Sequence, residues 1–386
     1  MARAPSLWLA RSDDALTPSV ADRLPTATDV VVVGGGIMGM SVAYWLARLG
    51  ARVLVLESRL PGWGASGRNG GLLLAGGSPL EDPAAIGAVL REEHIDAHHD
   101  RPGHLALCTS QETVEAVRAE IARRASSAAP LVLLDRDECE QLLGMQMSPR
   151  FVGGRWLPQA ALIDPVRLLR GLAGAAVRRG AVIATRTAAL SVDGTTVRTP
   201  RGVVEAADVV LACGVRTAAL APALASALHP VRGQMLATAP MRPIFRMGLA
   251  VDRGTVYWRQ TRSGEVVVGG LRARDPAAER TRREALNPHI QSGLTQFLPE
   301  AFPELGRVEV RWRWAGIMDE TADGRPLVGR VPGSPGQWTI AGFGGHGLPA
   351  AVSAGRALAE SMLAGVQAGV LARLDPARTI TEELVC

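Results

Sequence analysis

Three glycines, Gly34, Gly36 and Gly39, sit between a run of valines and an apolar stretch, and Glu57 closes the next apolar run. That spacing can hold two linked nucleotides. The first glycine permits a tight turn, and the second lets a phosphate approach the backbone. The third lets a helix pack close to a strand. The helix start, with Ile37 and Met38, offers unpartnered N–H groups and partial positive charge to a pyrophosphate. Glu57, followed by Ser58, is placed to accept hydrogen bonds from a ribose diol. An acid there suits FAD or NAD and repels the 2′-phosphate of NADP. The loop "PGWGASGRNGG" over residues 61–71 comes next, with Ser66, Arg68 and Asn69 among five glycines. It can direct N–H donors and a guanidinium at phosphates and a flavin.

These residues need a β-α-β unit to position them. "DVVVVG" reads as a buried strand, Met38 to Leu49 as a helix, and "ARVLVLES" as a second strand, with Gly50 at the helix C-terminus. Asp164 and Pro165 mark the start of a further helix, and the strand-like runs "VIATRTAALSV" and "VVEAADVVLACG" follow it. Strand patterns predominate from about 228 to 313, and "AGFGGHGLP" leads into a last long helix. Nucleotide-type elements thus occur at the start, middle and end of the chain. The expected architecture is α/β: a Rossmann-type domain of residues 29–82, 156–227 and 314–375. It is interleaved with an α+β substrate domain of residues 83–155 and 228–313, built on a mainly antiparallel sheet. Residues 1–28 read as an extension over the surface.

The chain has 386 residues, 47% hydrophobic and 20% charged, ordinary values for a globular protein of two domains. Its net charge is +5, and all 42 basic residues are arginine, so no step can use a lysine amine. The arginines are dispersed, and Tyr and Phe number only two and five, which argues against nucleic-acid binding. No apolar run has membrane-spanning length, and the N-terminus lacks a signal-peptide pattern, so a cytoplasmic location is expected. The four cysteines, Cys108, Cys139, Cys213 and Cys386, form no pair motif and read as reduced. His94 and His98 stand four apart in "EEHIDAHHDRPGH", but a solvated polar helix explains them better than a metal, and no metal site is expected.

"GGGIMGMS", "VLES", "GWGASGRNGG", "AADVVLACGV", "WAGIMDETADGRPLVG" and "IAGFGGHGLPAAVSAGRALAE" together resemble the FAD-dependent D-amino acid oxidase superfamily, among glycine, sarcosine and γ-glutamylputrescine oxidases. The resemblance implies non-covalent FAD. Its ADP half would lie on the glycine triplet and Glu57, and its pyrophosphate and ribityl region on Ser66, Gly67, Arg68, Asn69 and Gly70. It also implies an adenine contact from the Ala189 backbone and packing of Gly214 on the cofactor. Gly345, His346, Gly347 and Leu348 would face the flavin pyrimidine ring. Pro349 suits the first turn of the following helix, whose dipole would favour the charge developing on reduction.

Departures from the family concern the substrate. Cationic residues that hold a substrate carboxylate in relatives would fall at Met318, near Gly345 and at Pro349, and none of these is charged here. Arg259 is the candidate replacement, with Tyr257 and Met318 beside it in the substrate pocket. His346 and Tyr257 are the candidates for proton handling. The expected reaction is hydride transfer to FAD from the carbon beside an amine nitrogen of a small amine or amino acid, giving an imine. O2 or another acceptor would reoxidise the flavin. Oxidation of a 2-hydroxy acid or other alcohol, or a flavin-bound redox protein without turnover, are the alternatives. The sequence is silent on oligomeric state.

Overall fold

The computed structural model describes residues 6–11, 23–74, 78, 80–124, 130–365 and 369–381. Strand Ala27–Val33 is the centre of the first sheet, because its valines are buried on both faces. It pairs in parallel with Val53–Leu56 on one side and Gly202–Leu211 on the other. Val182–Ala184 and Gln337–Ala341 extend the parallel order outward, and Leu327–Arg330 adds an antiparallel edge. Helices Ile37–Arg48, Pro165–Arg178 and Gly347–Ala364 share an apolar cluster with one face of this sheet. A second cluster, with Val31, Leu54, Leu211 and Leu327, covers the other face. Both faces are therefore dry, as a parallel sheet requires.

The second sheet runs in the order Val310–Glu320, His229–Thr238, Val266–Gly270, Val256–Gln260, Gly248–Val251, His104–Cys108, Gly153–Leu157, Val132–Asp135. All neighbours are antiparallel except Gly248–Val251 with His104–Cys108. Helix Pro288–Ala301 packs on it through Ile290, Leu294, Phe297 and Leu298, around the fully buried Trp258. The α/β class and the interleaving match the sequence expectation. The division at 314 falls inside Val310–Glu320, which pairs along its length with His229–Thr238 in the second sheet.

Two local readings need correction. Residues 6–8 do not lie over the surface: Ser6 and Leu7 are fully buried, and Trp8 nearly so, while Ala10 and Arg11 are exposed. The helix that was to carry His94 and His98 ends at Glu92, and both histidines adopt left-handed backbone angles (φ 54° and 50°), so they share no helix face. No cluster of potential ligands able to hold a metal exists among the described residues. Cys108, Cys139 and Cys213 are free thiols, and burial pushes their pKa values up to about 11, 12 and 11. Cys386 lies outside the described residues.

Candidate functional site

The glycine turn stands at the C-terminal end of the central strand, where open parallel sheets bind ligands. Gly34 has φ +112°, and a β-carbon there would lie 2.5 Å from the Ala212 carbonyl oxygen. One at Gly39 would strike the Gly34 carbonyl. The first and third glycines thus have the steric duties the spacing assigned them. The Gly35 N–H donates to Glu57 Oε2 (2.7 Å). Glu57 Oε1 accepts from the Arg59 N–H (2.7 Å) and the Ser58 hydroxyl (3.3 Å). The acid is therefore fixed under the turn, half-buried, with Ser58 exposed beside it. Gly36 caps helix Ile37–Arg48 without a side-chain hydrogen bond of its own; instead the Ile37 N–H donates to Ser66 Oγ (2.9 Å). That bond joins the turn to the 61–71 loop.

Within this loop the structure revises one role. Arg68 is buried, and its Nε and Nη1 donate to the carbonyls of Trp63 (3.0 Å) and Ala315 (2.8 Å), with Glu284 3.5 Å from Nη2. Its guanidinium braces the loop against the second sheet and is not aimed at a phosphate. Asn69 is an internal brace as well. Its Nδ2 donates to the Ser66 carbonyl (2.8 Å), and its Oδ1 accepts from the Gly71 N–H (2.9 Å). Gly67 is packed against Leu9, and Gly70 against the Tyr257 ring, 3.1 Å from where a β-carbon would stand.

Three further segments converge here. Ala212 and Cys213 press on Gly34 from the end of the neighbouring strand. Over Gly214 (φ +55°) stands Asp319, whose Oδ2 accepts from the Gly342 N–H (2.6 Å) and whose carbonyl accepts from the Gly344 N–H (2.8 Å). Desolvation raises the Asp319 carboxyl above its ordinary range. Gly345 approaches Met318, 2.9 Å from its sulfur to an added β-carbon, and Gly347 approaches Met38 (3.1 Å). Leu348 is buried in the cluster under the first sheet. His346 is the exposed N-cap of helix Gly347–Ala364; its N–H donates to the Phe343 carbonyl (2.8 Å), and its ring makes no capping bond. Ala189 lies apart from this convergence, half-buried beyond Thr187, whose N–H donates to the Glu57 carbonyl (2.8 Å). The sequence-derived residues therefore gather in one place, with Ala189 at the Glu57 end.

Tyr257 and Arg259 were misjudged. The Tyr257 hydroxyl is held to the Met235 sulfur (3.1 Å), and burial pushes its pKa up to about 12, so it cannot serve as a base near neutrality. Arg259 does not open into a pocket. Its Nη1 donates to the carbonyls of Gly71 (3.0 Å) and Ile163 (2.6 Å), and its guanidinium lies 5.4 Å from the Trp8 ring centroid. Burial draws its pKa down to about 10, which leaves it cationic. A charged residue does share the strand face of Met318. Gly316, Met318 and Glu320 alternate toward one side: Gly316 meets Arg68, Met318 meets Gly345, and Glu320 meets Gly344. Glu320 Oε1 pairs with Arg272 Nη2 at 2.8 Å, both half-exposed. Neither Arg272, Glu320 nor Asp319 was found from the sequence, because no motif singles them out and only the pairing of distant strands brings them forward.

The arrangement fits a flavin dinucleotide on its own terms. Two helices, Ile37–Arg48 and Gly347–Ala364, point N-termini without side-chain caps of their own at the same sheet edge. A glycine-walled turn, the carboxylate of Glu57 and the 61–71 loop surround that edge. The sequence profile of the family described as "FAD dependent oxidoreductase" matches residues 29–361. The probable oxidoreductase OrdL of Rhizobium meliloti is 28% identical over 368 residues, 87% of this chain and 83% of that protein. The γ-glutamylputrescine oxidoreductase of Escherichia coli is 28% identical over 371 residues, 86% and 83% of the two chains. Among solved structures, the L-proline dehydrogenase of P. horikoshii superposes with a TM-score of 0.83 at 21% identity, over 93% of this chain and 99% of that one. With its profile match running from the first strand into helix Gly347–Ala364, the chain belongs to the FAD-dependent oxidoreductases of the D-amino acid oxidase superfamily.

Proposed function

We propose that this FAD-dependent oxidoreductase oxidises the C–N bond of a small amine carrying a carboxylate, giving an imine. Bound FAD supplies the hydride acceptor; the protein orients the substrate and excludes water. FAD would be held without a covalent bond by Gly34, Gly36, Ile37, Met38, Gly39, Glu57 and Ser58, with Ser66, Gly67, Asn69, Gly70, Gly214 and Gly345 to Leu348 along its length and Ala189 near the adenine, while Arg68 braces the loop from behind.

The observation that carries the substrate reading is the strand face Gly316–Met318–Glu320 opposite the 344–348 loop. Met318 gives an apolar floor, and the Arg272–Glu320 pair stands at its edge. An amino acid is a zwitterion, so its carboxylate can exchange onto Arg272 while Glu320 takes the ammonium. This replaces one charge pair by two and leaves no ion unpartnered. Arg272 thus takes the role first assigned to Arg259. The Tyr257 hydroxyl is committed to the Met235 sulfur and serves as a wall, so His346, exposed at the loop, is the candidate for moving the amine proton.

The relatives named for γ-glutamylputrescine and proline support an amine substrate over an alcohol. The test is anaerobic bleaching of the flavin with matched amines, amino acids and 2-hydroxy acids. Bleaching by carboxylated amines and not by the hydroxy acids is expected. The reverse pattern would overturn the reading, and no bleaching by any of them would favour a flavoprotein without turnover.

A further inference from the structure

The carbonyls of the 61–71 loop are bound from beneath by side chains that come from far away in the sequence. Ser6 Oγ donates to the Gly67 carbonyl. Trp314 Nε1 donates to the Arg68 carbonyl (2.9 Å), and Trp8 Nε1 to the Asn69 carbonyl (2.8 Å). Arg259 Nη1 donates to the Gly71 carbonyl (3.0 Å) and lays its guanidinium against the Trp8 ring. Two of these four donors belong to the six-residue segment Ser6–Arg11, which precedes the whole nucleotide unit.

That segment is anchored at both ends. Leu7 and Trp8 are buried in a cluster with Val166, Met235, Val267 and Trp314, with Tyr257 packed against it. At the other end Arg11 makes a two-pronged ion pair with Glu265, whose carboxylate is fully buried and also accepts from Thr261 (2.6 Å) and Ser263 (3.0 Å). Removing Arg11 would leave that carboxylate buried without its cation, which fixes the segment more firmly than a surface ion pair would. Between the anchors Leu9 fills the space beside Gly67.

The orientation matters because a loop whose carbonyls are tied down on one side keeps its amides available on the other. The Asn69 and Gly70 N–H groups have no acceptor among the described residues. We propose that Ser6–Arg11 is a clasp that holds the 65–71 loop in its FAD-binding shape, with Ser6 and Trp8 as positioning residues for the cofactor. The inference rests on assigning this loop to FAD. The clasp touches the loop and not the reacting atoms, so its effect is on how tightly and how long FAD stays.

The experiment compares full-length wild type with Trp8→Phe, Trp8→Ala and Ser6→Ala. Trp8→Phe keeps the ring against Arg259 and removes only the N–H donor, so it remains folded if Trp8→Ala does not. FAD is titrated into apoprotein by flavin fluorescence, its release is timed after dilution, and circular dichroism of each apoprotein checks folding. Trp8→Phe and Ser6→Ala should each bind FAD roughly three- to tenfold more weakly and release it faster, the range expected for one lost hydrogen bond. Trp8→Ala should exceed both. Folded variants with wild-type affinity and release rate would overturn the clasp while leaving the FAD assignment intact. A wild-type protein that takes up no FAD would overturn both.

Discussion

The glycine turn at 34–39 and the loop at 65–71, both proposed to hold FAD, are built by opposite means. The turn is made by its own strand and helix, and its closest contacts, Ala212 and Glu57, come from adjacent strands. The loop has almost no regular structure, only the short turn Ala65–Gly67, and takes its shape from Ser6, Trp8, Arg259 and Trp314. A local site is secured by steric fit, and a borrowed one by hydrogen bonds over long chain separations. The two should therefore fail differently.

Gly39→Val is the largest expected break. The new side chain would strike the Gly34 carbonyl, lifting the helix from the strand. The protein should purify without flavin colour and lose about 3 kcal/mol of stability in a thermal or denaturant melt, the upper range for overpacking. A yellow Gly39→Val protein would show that the turn is not the nucleotide site. Glu57→Gln keeps the fold and removes the charge that accepts from Gly35, Arg59 and Ser58. FAD affinity should fall about 10- to 100-fold, as hydrogen bonds to a charged group are worth about 1.5–3 kcal/mol.

The two arginines sharpen the contrast on the substrate side. Arg272→Ala should raise KM roughly tenfold for a carboxylated amine and leave the matching amine without carboxylate unchanged. Arg259→Met should lower the melting temperature and spare that selectivity, since its Nη1 holds Gly71 and Ile163. If Arg259→Met instead abolished the carboxylate preference, the assignment of the two would be reversed.

The smallest effect at neutral pH belongs to His104, buried in the second sheet with neither ring nitrogen partnered. Burial lowers its pKa from 6.5 to about 3. A base with a depressed folded pKa favours the native state above the unfolded value, and that advantage is lost as pH falls. Between about pH 6 and 4 the unfolded chain gains a proton that the native one refuses. Stability should fall by about 1.4 kcal/mol per pH unit through this group. Urea melts of His104→Leu should show a shallower acid limb than wild type.

How much of this was legible in the sequence follows the same division. The strand, turn, helix and acid were read in register because each is a short-range pattern of glycine, apolar and capping residues. The Asp164–Pro165 helix start was legible for the same reason, and Asp164 does accept from the Val166 and Arg167 N–H groups. Arg259 was misread because a strand pattern gives alternation and not depth; it points into the protein, beneath Trp8. Trp8 lay within the stretch read as a surface extension, since its partner Asn69 is 61 residues away. His94 and His98 had helical spacing, but the helix had already ended at Glu92 and the backbone turned left-handed. The 316–320 face was invisible until Val310–Glu320 paired with His229–Thr238.

The interleaving also orders events in time. The first sheet draws strands from residues 27–33, 53–56, 182–184, 202–211 and 337–341, and helix Gly347–Ala364 follows the last of these. A ribosome making this chain completes the glycine turn early, yet nearly the whole second domain must emerge before the strand Gln337–Ala341 and the 344–348 loop can join it. Such non-local closure folds slowly. On the proposed FAD assignment, cofactor loading would be a late step, and the apoprotein the form most exposed to aggregation and proteolysis.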